Sequence, residues 1–321
     1  MTQGKARRGA VDILMYHAVT EGPPPLNDWC YLPAQQFDAH MATLRRLGLK
    51  VVPLSEAVAR LQDGSLDERV VAITFDDGYA NNATTALPIL ERYELPATIF
   101  LVSGILGTSR SIWASRIIRA VQASTRSEIS FNGETFALEG PKEKARASSA
   151  LQNIVKATSG ASPDTAAEAV EIACDAEVNP DFRGTDFAIM DAEMVKSAEA
   201  GGLIEFGAHT VSHPILSSLD DAALAAELGP SIEAVSALVN RPSPVFAYPN
   251  GRLQDFDDRA IAILRAHGVT AAVATTEERN RPGADAFRLH RWGIGRNCSA
   301  LRLAATLMGA RNLPLVRRLA G

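Results

Sequence analysis

The sequence predicts an α/β chain whose parallel sheet closes into a barrel, and three observations predict it. Short apolar, β-branched runs recur along the chain. Most are followed by stretches with apolar residues at helical spacing, and the units number about seven, enough to close. Composition agrees: of 321 residues, 46% are hydrophobic and 21% charged, close to a globular average and far from disordered or fibrous chains. The 37 acidic against 32 basic residues leave a net charge of −5, a poor basis for work through phosphate-backbone contacts, so no nucleic-acid partner is expected.

The strands are expected at residues 11–16, 70–75, 98–102, 203–207, 244–248, 270–274 and 288–294. Amphipathic helices are expected at 34–47, 84–93, 222–238 and 257–266; in the first, Phe37, Met41, Leu44 and Leu47 recur on one face. Gly48 and Gly268 follow helix ends, where a left-handed cap is wanted. The rhythm breaks over 107–202. There, Ala-rich helical stretches at 145–157 and 166–176 and a hairpin at 129–138, turning at Asn132-Gly133, replace buried strands. A stretch this long is no bare loop, and it is read as a mostly helical insertion within one domain spanning 1–321.

The chain is expected to end in a helix over 301–321, docked on the barrel, with Arg302, Arg311, Arg317 and Arg318 on an apolar background. Cys30, Cys174 and Cys298 are too far apart, and odd in number, for a disulfide framework or a Cys-type zinc site. The N-terminus is basic, but Asp12 interrupts the apolar run that follows it. No run approaches the roughly 18 apolar residues of a membrane span, and the expected location is cytoplasmic.

Chemistry collects at the strand ends. Thr74-Phe75-Asp76-Asp77-Gly78 follows the apolar run 70–73, and adjacent carboxylates at the end of a buried strand call for a cationic partner. His209-Thr210-Val211-Ser212-His213 follows 203–207; histidines at i and i+4 share one side of a helical turn and can grip one metal, with a carboxylate from Asp76-Asp77 as a further ligand. His17 ends the first strand. Phe246-Ala247-Tyr248-Pro249-Asn250-Gly251 ends another in a turn whose backbone N–H groups can face an oxyanion. In a barrel these strand ends meet on one face. His40 and His267 read as surface or helix-end residues, and His290 in Leu289-His290-Arg291-Trp292 reaches the pocket only if its strand faces inward. Trp29, Tyr79, Tyr248 and Trp292 are aromatic faces available for stacking on a sugar.

Taken together these motifs resemble the polysaccharide deacetylases, a carbohydrate esterase family, and among them the poly-N-acetylglucosamine deacetylase branch. The likeness covers residues 12–295 apart from the insertion, including Met15-Tyr16-His17, Pro96-Ala97-Thr98-Ile99-Phe100 and the closing 288–294. It implies a distorted (β/α)7 barrel in which Asp77, His209 and His213 hold one divalent metal, Zn²⁺ first, with Co²⁺, Ni²⁺ or Fe²⁺ as alternatives. It implies Asp76 as general base, His17 as general acid with His290 as second choice, and the turn at Tyr248 and Asn250 as the oxyanion and substrate contact. In two places the sequence departs from the family pattern. The usual base-orienting Arg of the third motif is replaced by Ala247, for which Arg291 or Arg288 can substitute, and Asn250 stands where Tyr is common. The implied reaction is removal of acetyl from an N-acetylhexosamine-containing saccharide. The alternatives are hydrolysis of another amide, such as a cyclic ureide or formamide, and a glycan-binding protein without turnover.

Overall fold

The computed structural model describes residues 9–157, 162–175 and 181–310. It opens with β1 (Ala10–Tyr16), a short parallel pair β2 (Ala18–Thr20) and β3 (Tyr31–Pro33), and α1 (Ala34–Arg46). There follow β4 (Lys50–Val51), α2 (Leu54–Gln62), β5 (Arg69–Phe75), α3 (Leu87–Arg92) and β6 (Ala97–Leu101). The middle of the chain holds α4 (Trp113–Ala123), the hairpin β7 (Glu128–Phe131) and β8 (Glu134–Ala137), α5 (Pro141–Ala157) and α6 (Pro163–Cys174). Alternation resumes with α7 (Ala192–Ala200), β9 (Ile204–Ala208), α8 (Asp221–Leu238), β10 (Val245–Ala247), α9 (Asp258–Ala266) and β11 (Ala271–Val273), and the described chain closes with β12 (Trp292–Gly293) and α10 (Ala300–Leu307).

The main sheet runs β11-β10-β9-β6-β5-β1-β12, with β4 beside β5 and every pairing parallel. The last expected strand, 288–294, is broken. Leu289 bridges Val273 at one edge of the sheet, while Trp292 and Gly293 pair with Leu14 and Met15 at the other. That one segment ties the two edges, so the barrel closes through an irregular stretch.

Side-chain alternation sorts the strands into two faces. Val11, Ile13, Val70, Ala72, Phe100, Val245, Ala247, Val273 and Leu289 meet in one cluster although their strands are spread along the whole sheet, which places them inside the barrel; Leu54, Val58 and Leu61 of α2 join them. Leu14, Tyr16, Val71, Ile73, Phe75, Ile99, Leu101 and Phe246 face the other way, onto Phe37 and Met41 of α1, Leu228 and Ile232 of α8 and Leu264 of α9. Gly48 and Gly268 take φ of 63° and 78° behind α1 and α9, as caps require.

The middle segment has its own core, built from Trp113, Ile117 and Val121 of α4, Ile129 and Leu138 of the hairpin, Leu151 and Val155 of α5 and Val170 of α6. Its turn residues Asn132 and Gly133 have φ of 52° and 81°, the paired positive values of a tight hairpin. Within the expected 107–202 stretch, α7 behaves differently: Val195 and Ala198 pack into the barrel's outer core, so α7 is the barrel's own helix ahead of β9. Of the expected 301–321 helix, the described residues include α10 and the turn after it. This helix ends at Leu307, and Gly309 turns the chain with φ of 73°; Arg311, Arg317 and Arg318 lie outside the described residues. Among the described residues no helix is long and apolar enough to cross a membrane.

Candidate metal centre and active site

Extending the inner rows of the strands past their C-terminal ends builds the site. The alternate residues Val11, Ile13 and Met15 of β1 lead to His17; Val70, Ala72 and Thr74 of β5 lead to Asp76; Glu205 and Gly207 of β9 lead to His209. Three chemically active side chains therefore enter one pocket because their parity is that of the inner apolar row. Asp77 has the opposite parity and turns inward only because its backbone adopts φ of 73°. His213 needs the same device. The 209–213 stretch is a loop rather than the helical turn its spacing suggests, with Thr210 and His213 at φ of 68° and 61°. The loop is held from outside: the Glu227 carboxylate accepts from the N–H groups of Val211 and Ser212, each at 2.9 Å, and the His213 N–H donates to Thr210 Oγ1 at 2.9 Å. Left-handed conformations at non-glycine residues cost of order 1–3 kcal/mol each and persist where the surroundings impose them.

The result is a grouping of Asp77, His209 and His213 whose ligand atoms all lie within 4.8 Å of one another. Nε2 of His209 and of His213 stand 3.6 and 3.4 Å from Asp77 Oδ1. That oxygen is buried and has no hydrogen-bond partner. Burial, reinforced by the charge of Asp76, pushes the Asp77 carboxyl well above the usual range, while burial lowers both imidazoles and keeps them neutral. His209 Nδ1 lies 2.7 Å from the Ala247 carbonyl, which fixes its proton there and leaves Nε2 a lone pair. The Trp113 indole N–H points between His213 Nδ1 and the His213 carbonyl, 3.2 Å from each. An orphaned buried carboxylate oxygen facing two neutral imidazoles fits a divalent cation by donor chemistry and charge alike.

Asp76 is held quite differently. Arg291, fully buried, grips it with both terminal nitrogens, Nη1 to Oδ1 at 2.6 Å and Nη2 to Oδ2 at 2.8 Å. Its Nε donates to the Ala274 carbonyl at 2.9 Å, so the guanidinium plane is fixed. Burial pushes the Asp76 carboxyl up, but Arg291, with smaller help from His209 and His17, outweighs it and sets the value at about 2. His17 is lowered to about 4 by burial, against the pull of Asp76. Its Nδ1 has no partner and its ring meets Trp29 edge-on at 5.0 Å.

Of the remaining expected residues, Asn250 lines the pocket with φ of 57°. Its side chain donates to Asp255, and its backbone N–H has no acceptor among the described residues. Tyr248 does not reach the pocket. Its parity is that of the outer face, where its ring stacks on Phe256 at 3.6 Å and its hydroxyl donates to the Phe287 carbonyl at 3.0 Å, so the expected substrate contact is corrected to a core role. His290 is corrected for the same reason. It alternates with the inward Leu289 and Arg291 and points out toward Glu278, 3.8 Å away, which removes it as a candidate acid. Arg288 pairs with Asp258 and Asp285 at the surface. His40, expected near the surface, is fully buried.

The pocket also has residues the motifs did not announce. Trp113, Ala114 and Ile118 of α4, Gln152 and Lys156 of α5 and Cys30 line it beside Trp29 and Tyr79, two of the expected aromatic residues. A larger cleft, lined by Pro25, Asn81, Thr85, Arg183, Phe187 and Met194, holds none of the metal-binding groups.

Comparison with known proteins identifies the family. Residues 63–272 match the polysaccharide deacetylase family model. YxkH of Bacillus subtilis (strain 168), which bears the family's name, is 38% identical over 96 residues, 30% of this chain and 33% of that one. The poly-beta-1,6-N-acetyl-D-glucosamine N-deacetylase of Staphylococcus epidermidis is 28% identical over 117 residues, 33% of this chain and 40% of that one. These matches thus span less than half the length of the curated relatives. Among solved structures, the Streptococcus pyogenes deacetylase PplD superposes with a TM-score of 0.62 at 18% identity, covering 95% of this chain and 99% of that one. IcaB from Ammonifex degensii gives 0.60 at 18% identity, covering 94% and 97%. The structural likeness extends to the (β/α)7 barrel, and with the family model spanning well over half its length, this chain belongs to the polysaccharide deacetylase family.

Proposed function

We propose that the protein is a metal-dependent deacetylase that hydrolyses the acetamide of an N-acetylhexosamine in a saccharide. The observation that carries the reading is the division of labour between neighbouring carboxylates: Asp77 faces two neutral imidazoles with an orphaned oxygen, while Asp76 is clamped by Arg291 and kept ionised. Asp77, His209 and His213 would hold the cation, with Zn²⁺ the first choice for a two-imidazole, one-carboxylate set. Such an ion, when bound, polarises the amide carbonyl and acidifies the water that attacks it.

Every other part of the chemistry belongs to the chain. Asp76 takes the proton from the attacking water. Its low pKa makes it a weak base, and Arg291 is a positioning residue that trades base strength for a fixed carboxylate plane. The free N–H of Asn250 donates to the developing oxyanion. His17 stands across the pocket with an unpartnered ring nitrogen and gives a proton to the leaving amine. It is neutral in the resting site, so it must be charged within the catalytic cycle, which the nearby Asp76 favours. Trp113, Gln152 and Lys156 wall off the solvent side of the pocket and restrict which saccharide enters.

The test is acetate release from N-acetylglucosamine oligomers by chelated protein, with and without added Zn²⁺, Co²⁺ or Ni²⁺, beside Asp76→Asn. The expected result is metal-dependent acetate that disappears in the variant although one equivalent of metal still binds. Metal binding without acetate would overturn the reading and direct the search to cyclic ureides or formamides.

A further inference from the structure

Among the described residues, three carboxyl groups and one amine line the pocket, and the carboxyl groups all have partners or a task. Asp76 is clamped by Arg291, and Asp77 faces His209 and His213. Asp28 accepts from the Cys30 N–H at 3.0 Å and from the Gln152 amide at 3.4 Å. The amine, that of Lys156 on α5, has neither. It is half-buried, and among the described residues it donates to no acceptor and pairs with no carboxylate.

Its Nζ stands over the Trp113 ring, 6.0 Å from the centroid, at the limit of a cation–π contact. The same indole turns its N–H edge to His213, 3.2 Å from Nδ1 and from the carbonyl. A single indole therefore separates the ammonium from an imidazole of the metal grouping. The helix behind it is anchored: Leu151 and Val155 pack in the insertion's own core, and Gln152, one turn earlier on the same face, bonds Asp28. The charge is felt across the pocket. Burial and the charge of Asp76 raise the Asp77 carboxyl, and Arg291 and Lys156 oppose them.

An ammonium on the wall of a site suited to a cation works against that cation unless an anion joins them. Arg291 balances Asp76, and a divalent ion would balance Asp77 and Asp28, so the charge left over is that of Lys156. A compact point charge on a flexible stem suits a carboxylate or a phosphate without demanding one geometry. We infer that Lys156 is a specificity-determining residue that takes an acidic group carried on the same ring as the acetamide, so the preferred substrate is an acidic N-acetylhexosamine rather than a neutral one. This rests on the deacetylase reading above, and its test is separable from it.

The full chain, freed of metal with a chelator and dialysed, is titrated calorimetrically with N-acetylglucosamine, with its 6-phosphate, and with N-acetylmuramic acid, which adds a carboxylate to the same ring. At least one acidic sugar should bind about tenfold more tightly than the neutral one, the gain expected of one charge-assisted contact. Lys156→Gln should bring that ratio close to one, and Lys156→Arg should keep most of it. The same ratio is then read from kcat/KM for acetate release after Zn²⁺ is restored. The acidic sugar that carries the advantage tells carboxylate from phosphate. Acidic sugars that gain nothing over the neutral one in either measurement, or an advantage that survives Lys156→Gln, would overturn the inference and leave the deacetylase reading standing. Lys156-dependent binding without acetate release from any of the three would keep the acidic contact and sink the deacetylase reading.

Discussion

The two faces of the barrel sheet are made by the same strands and end in opposite chemistry. Followed toward their C-terminal ends, the inner rows pass from Val11, Val70 and Glu205 to His17, Asp76 and His209. The outer rows hold the Asp12–Arg69 ion pair near their start and are apolar from Leu14 and Val71 on, closing with Tyr16 and Phe75 packed on Phe37 of α1 and Tyr248 stacked on Phe256. What the difference teaches is that alternation alone assigns residues at a strand end to site or to core. Residues that must break the alternation, Asp77 and His213, carry left-handed backbone to do so. The middle segment obeys neither face. It reaches the site through side chains of α4 and α5 that pack on a separate core.

The strongest way to break this comparison is His213→Ala. It removes an imidazole proposed to hold the cation, which the loop presents in left-handed backbone, and both bound metal, counted by elemental analysis, and acetate release should fall to background. Retention of one tight equivalent of metal would show that the inward turn at His213 serves the loop rather than an ion.

His17→Ala tests whether the inner row of β1 carries chemistry or only packing. Loss of general-acid help should cost about 10²–10⁴-fold in kcat with KM little changed. An unchanged kcat would leave water as the proton donor, because His290 points away.

Trp113→Phe sharpens the boundary between barrel and insertion. It keeps the ring but deletes the N–H that lies 3.2 Å from His213 Nδ1 and from its carbonyl. With a cation on Nε2 the His213 Nδ1 carries the ring proton, so this N–H donates to the His213 carbonyl and holds the loop; outer partners of a metal-binding residue are typically worth about 10–100-fold in metal affinity or activity. A loss in that range would make the insertion part of the metal centre; a loss under about twofold would leave it a wall.

Most of the barrel and of the site was legible in the sequence because both depend on local, periodic signals. The β-branched runs predicted β1, β5, β6 and β9 to within a residue or two at their ends, and the Asp-Asp-Gly and His-x-x-x-His spacings placed Asp76, Asp77, His209 and His213 in one pocket. Arg291 and His290 were also decidable: Leu289 packs inside, so Arg291 shares its parity and His290 does not. That signal is weak on paper because the strand is broken in space, and only the tie between Val273 and Leu289 reveals its register. Helix α2 was missed although Leu54, Ala57, Val58 and Leu61 carry helical spacing, and the two-residue strand β4 ahead of it is too short to leave a pattern of its own. The contributions of Trp113, Gln152 and Lys156 have no local signature. They depend on how a separately cored segment docks, a long-range packing outcome that no window of sequence contains.

The smallest expected effect belongs to the outer face, where His40 of α1 sits fully buried between the Tyr16 hydroxyl, 3.4 Å from Nδ1, and the Cys298 carbonyl, 2.6 Å from Nε2. Burial lowers its pKa to about 4, with the Cys298 carbonyl opposing. In the unfolded chain the same ring titrates near about 6.5. Between those values the unfolded state binds a proton that the folded state refuses, so the stability His40 contributes is intact above about pH 6.5 and is lost progressively as the pH falls toward about 4. His40→Gln can keep a donor for the Cys298 carbonyl without titrating. Denaturant midpoints of the chelated protein at pH 7 and pH 5 should therefore lie closer together in the variant than in the wild type, with metal-loaded activity at pH 7 nearly unchanged. The slope should shrink rather than vanish, because His17, lowered by the same cause on the inner face, titrates over the same window. An equal slope in both proteins would mean that His40 does not stay neutral in the fold, and that the outer face takes up charge as readily as the inner one.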